Sequence, residues 1–115
     1  MFRSSIEKRL TAVSRELRLL REELGVLDEQ LLQVSDEAED ARLRSLVSET
    51  PLAAADHREA SKSVSAVRRD REAKLKRLAK LERKQADLLD TFSAKSGGGA
   101  RESGLKQRAI RSDGE

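Results

Sequence analysis

The chain has no cysteine, tryptophan or tyrosine, and only two phenylalanines, one proline and one histidine in 115 residues. Without cysteine there is no disulfide and no thiolate metal site, and a reducing compartment suits the chain. With Phe2 and Phe92 as its only aromatics, it lacks the material for a thick layered core. No apolar run approaches the roughly 20 residues of a membrane span, and the segment from Met1 to Lys8 lacks the apolar centre of a signal peptide. The expectation is a soluble, cytoplasmic protein that makes no use of a membrane.

What is abundant is charge. Asp, Glu, Lys and Arg make up 39% of the chain at a formal net charge of +3, interleaved with leucine and alanine at helical spacing, the composition of long helices and coiled coils. The lone proline organises the pattern. Thr50 before Pro51 reads as an N-cap followed by the first helical residue, because a threonine oxygen accepts an orphan helix N–H and proline has none to leave unpaired. A first helix is expected over residues 5–47, opened by a capping box of Ser4 and Glu7, then a turn at 48–50 and a second helix over 51–95.

Both helices carry a heptad seam. In the first, Ile6, Leu10, Val13, Leu17, Leu20, Leu24, Leu27, Leu31 and Val34 alternate steps of four and three, continuing in Ala38 and Ala41. In the second the seam is Val64, Val67, Arg71, Lys74, Leu78, Leu81, Gln85, Leu88 and Phe92. Paired backwards, Val34 faces Val64, Leu31 faces Val67, Leu20 faces Leu78, Leu17 faces Leu81, Leu10 faces Leu88 and Ile6 faces Phe92. Three layers are mixed: Leu27 with Arg71, Leu24 with Lys74 and Val13 with Gln85. In such an antiparallel pair g positions face g and e positions face e, which brings Glu23 to Arg77, Glu16 to Lys84 and Asp28 to Arg68. Near the turn the seam thins to alanines, so a slender tip is expected.

The fold class is therefore all-α: an antiparallel two-helix coiled-coil hairpin over residues 1–95 with a disordered Gly/Ser/Arg-containing tail at 96–115. One seam is thin for a domain of this size. Leu19 and Val26 on c positions of the first helix, and Leu75 and Leu89 on the second, form further apolar stripes that predict self-association into a dimeric four-helix assembly.

No catalytic, cofactor-binding or metal-binding residue and no small-molecule substrate is predicted. A pair of helices offers no water-excluding concavity, and His57 lacks an accompanying nucleophile or ligand set. The lead reading is a non-enzymatic interaction or scaffold protein that docks on a larger protein or nucleoprotein. The alternative is a nucleic-acid or nucleoprotein binder, with RNA polymerase or the ribosome as partner. It would use a basic end made by Arg15, Arg18, Lys76, Arg77, Lys80 and Arg83; without aromatics for base stacking, such binding would be salt-sensitive and indifferent to sequence. A helical hairpin with acids near its tip resembles in shape the arms of Gre-type transcript-cleavage factors and of seryl-tRNA synthetase. Here the turn carries Glu49 alone, with Asp56 and Glu59 further along, and no family is assigned.

Overall fold

The computed structural model describes residues 3–97, and all of them except Glu49 and Thr50 are helical. Helix α1 runs Arg3–Ser48 and α2 runs Pro51–Gly97, forming a two-helix hairpin. Of the tail expected over 96–115, residues 96 and 97 belong to α2, and the part from residue 98 on lies outside the described residues. Among the described residues the hairpin divides into two compact units, Arg18–Ala79 being one and residues 3–17 with 80–97 the other.

The helix ends differ from the sequence expectation in instructive ways. Helix α1 starts at Arg3, so Ser4 is already inside it and does not cap it. Two contacts hold the first turn helical: Arg3 lies 3.9 Å from the Glu7 carboxylate one turn on, and its guanidinium sits 5.4 Å from the centre of the Phe92 ring. At the other end α1 runs to Ser48, and the connection is Glu49 and Thr50 alone. Helix α2 reaches Gly97, two residues past its expected end at residue 95.

The turn is made by hydrogen bonds that can be followed one by one. Glu49 adopts a left-handed conformation (φ 52°), and its N–H donates to the Ser45 carbonyl over 3.1 Å, closing α1. Thr50 Oγ1 then accepts the Ala53 N–H at 3.1 Å, and the Thr50 carbonyl accepts the Ala54 N–H at 3.0 Å, opening α2 behind Pro51. Glutamate has a Cβ that a left-handed residue must accommodate, whereas glycine has none. Replacing Glu49 with glycine is therefore expected to stabilise the protein by about 1 kcal/mol, and Thr50→Ala to destabilise it by about 1 kcal/mol, as read from thermal melts.

In the Arg18–Ala79 unit, Leu20, Leu24, Leu27, Ala41 and Val64 are buried, and Leu31, Val34, Val67 and Leu78 are half-buried. In the other unit Ile6, Val13, Leu17 and Leu81 are buried, with Leu17 fully so, and Leu10, Leu88 and Phe92 are half-buried. Burial thus follows the heptad positions along both helices. The mixed layers are buried too: Leu24, Leu27 and Val13 are no more than 9% exposed although their counterparts are Lys74, Arg71 and Gln85. Arg71, Lys74 and Gln85 are themselves half-buried, as long side chains can be whose aliphatic stems cover apolar neighbours while the polar end still finds a partner.

The polar ends find partners that fix the register. Arg71 Nε donates to Asp28 Oδ1 at 2.6 Å, and Gln85 Nε2 donates to Ser14 Oγ at 3.2 Å. Asp28 follows Leu27 and Ser14 follows Val13, so each contact joins a seam residue of α2 to the neighbour of its expected counterpart. Asp28 consequently pairs with Arg71 and not with the expected Arg68. Lys74 bonds Asp70 on its own helix at 2.7 Å; this hydrogen bond raises its pKa above the ordinary lysine value, and the nearby Glu23 charge adds to it. Ion pairs this exposed contribute little stability; Arg71–Asp28, which joins the two helices, discriminates between registers, whereas Lys74–Asp70 lies within α2.

Candidate interaction surfaces

Three apolar areas are left outside the seam. The first surrounds the turn. Leu43, Leu46 and Val47 follow one another at helical spacing on the outer face of the last turns of α1, and Leu52 stands in the first turn of α2. Val47 is 85% exposed and Leu52 72%. The seam beneath them is as small as expected: Ala41 is buried, and Ala38, Ala53, Ala54, Ala55, His57 and Ala60 are half-buried. The expectation of an alanine-lined tip thus holds for the seam, where His57 is half-buried among the alanines, and misses the outer face. The i, i+3, i+4 spacing of Leu43, Leu46 and Val47 was the signal available in the sequence. Nearby, Arg42 grips the Glu39 carboxylate through two hydrogen bonds, the shorter 2.6 Å. That grip holds Glu39 below the usual carboxylate range and raises Arg42. The pairing therefore operates above the ordinary carboxylate pKa and is lost as pH falls through the lowered folded value.

The second and third areas lie within Arg18–Ala79, on either side of the seam. Leu19 and Val26, each more than half exposed, floor a groove of 550 Å³ whose walls carry Glu22, Glu23, Asp70 and Lys74. Leu75 and Leu31 floor a separate groove of 340 Å³ walled by Arg68, Arg71 and Glu72. On α2, Asp70 precedes the seam residue Arg71 while Leu75 follows the seam residue Lys74. One residue turns a helix by about 100°, so the two grooves fall on opposite flanks, g positions on one and e positions on the other. The four residues expected to mediate self-association are thereby separated: Leu19 and Val26 share a flank, Leu75 stands on the opposite one, and Leu89, half exposed, belongs to the other unit. Gly25 also stands at the surface, where an added Cβ would meet nothing within 4 Å.

The basic residues proposed as phosphate contacts are all exposed. Arg18, Lys76 and Arg77 belong to Arg18–Ala79, and Arg15, Lys80 and Arg83 to the other unit. Among the described residues no group of three or more histidine, cysteine, aspartate or glutamate side chains is placed to hold a metal ion, and no helix is long and apolar enough to cross a membrane. Comparison with known protein families, with curated proteins and with solved structures finds no match.

Proposed function

We propose that the protein is a non-enzymatic helical-hairpin scaffold that self-associates through its flanks and docks on a larger protein through its turn. The observation that carries this reading is the exposure of Leu43, Leu46, Val47 and Leu52 around a turn that its own caps already satisfy. Leucine and valine held in water at a chain reversal serve no purpose in the fold, since the seam under them is closed by alanines. They gain free energy on burial against a partner, at about 25 cal/mol per Å² of apolar surface removed from water. A rigid helical end that presents such residues suits a hydrophobic groove on the partner.

The test is a photo-crosslinker placed beside the turn, at Ser48, in cell lysate. A defined partner is expected with the parent chain and lost with the Val47→Ser/Leu52→Ser variant, whose helicity should be unchanged because both residues are exposed. Identical capture by parent and variant would remove the turn from the proposal. Light scattering tests self-association separately, and a monomer at tens of micromolar would remove it.

The second reading, contact with nucleic acid or a nucleoprotein, is supported by the exposure of Arg15, Arg18, Lys76, Lys80 and Arg83. It requires binding to duplex or single strands that weakens steeply with salt. No binding at low salt would end it.

A further inference from the structure

The two grooves of the Arg18–Ala79 unit differ in charge as well as position. The Leu19–Val26 groove has three carboxylates, Glu22, Glu23 and Asp70, against one ammonium, Lys74. Asp70 is engaged by Lys74, whose charge also acts on Glu23, and the groove lining keeps two more carboxylates than ammonium groups. The opposite groove has Arg68 and Arg71 against Glu72, with Arg71 engaged by Asp28, and heptad position sets the exposed Arg18 and Arg21 on the α1 side of that same flank, where they supply its excess. Each flank also has two large exposed apolar residues, Leu19 and Val26 on the acidic one, Leu32 and Leu75 on the basic one. Gly25 stands on the basic flank one heptad before Leu32, and the space above it is not filled by the chain itself.

A two-fold dimer would place like against like. The acidic flank against its own copy brings two carboxylate-rich grooves together, and the basic flank against itself gathers arginines, arrangements disfavoured by like-charge repulsion. Acidic against basic has neither cost and brings a leucine pair onto a leucine–valine pair. Because the complementary surfaces lie on opposite sides of one unit, each copy that uses one still offers the other.

Resting on the self-association proposed above, we infer that a second copy of this chain docks its basic Leu32/Leu75 flank on the acidic Leu19/Val26 flank of the first. The association is head-to-tail: it adds copies beyond two, or closes into a ring, and does not stop at a symmetric dimer.

Complementation between two variants tests this. Leu19→Ser/Val26→Ser removes the apolar floor of the acidic flank, and Leu32→Ser/Leu75→Ser that of the basic flank. All four residues are exposed, so helicity measured alongside should match the parent. The parent chain is expected to exceed twice its 12.8 kDa mass in sedimentation at high concentration. Each variant alone should stay monomeric, and the equimolar mixture should form a dimer that grows no further, one good flank from each chain having joined. A variant that dimerises alone, or a mixture that remains monomeric while the parent associates, would overturn the head-to-tail arrangement and leave self-association standing. A monomeric parent would overturn both.

Discussion

Replacing Leu17 with alanine is expected to destabilise the protein by about 2–5 kcal/mol, a loss large enough to bring unfolding near room temperature for a hairpin with a single seam. Leu17 is the most completely buried side chain, at 0% exposure, and Leu81, its expected counterpart on α2, is 2% exposed. The substitution removes apolar surface and leaves a void that two helices bridged by few other contacts at this level refill only in part. Urea denaturation followed by helicity gives the number. Leu89→Ala is the control: the same chemical change at a half-exposed site, expected to cost less than about 1 kcal/mol. If Leu89→Ala proved the more damaging of the two, the core would lie elsewhere.

Ala41→Leu is expected to destabilise by about 1–3 kcal/mol although it adds apolar surface. Ala41 is 2% exposed, and the α2 residues nearest the turn are also small: Ala53, Ala54, Ala55 and Ala60, all half-buried. Where small residues line both helices the backbones approach closely, and a leucine side chain would have to push them apart or adopt an unfavourable rotamer. Amide exchange should report the loss as weaker protection in the turns adjoining Glu49 and Thr50. A stabilising effect would mean that the helices stand far enough apart here to admit a larger side chain.

The parts of this structure that were legible in the sequence are those set by local rules and by period. Thr50 and Pro51 announce a cap whose hydrogen bond to Ala53 is found, and the steps of four and three place the residues that are buried. The three polar seam residues were readable as long stems over apolar neighbours, because arginine, lysine and glutamine can bury methylenes and still reach water. Which polar group each one meets was only partly readable, Asp28 being one of the acids expected within reach of the Arg71 and Lys74 heads. Arg71 takes Asp28, Lys74 takes Asp70 and Gln85 takes Ser14, choices among neighbouring groups that differ little in free energy.

The interaction surfaces were harder. Leu19, Val26, Leu75 and Leu89 stand out as apolar residues off the seam, but a list of such residues does not say which side of the seam each occupies. That needs the register, the antiparallel sense and the helix rotation together. Leu43, Leu46, Val47 and Leu52 were hidden for a related reason: reading along the seam finds alanine and suggests a narrow end, while the apolar residues point the other way. Glu49 gave no warning of its left-handed backbone, a position where glycine or asparagine is the usual signal.

The central claim is that one chain folds back at Glu49 and Thr50 so that α1 and α2 pair in opposite directions with Leu20 against Leu78. Methyl-to-methyl nuclear Overhauser contacts, recorded on a mixture of differently labelled chains, test it most directly. The expected result is a contact between the Leu20 and Leu78 methyl groups that arises within single chains. A contact seen only between chains, or none at all together with unbroken helix through Pro51, would contradict it.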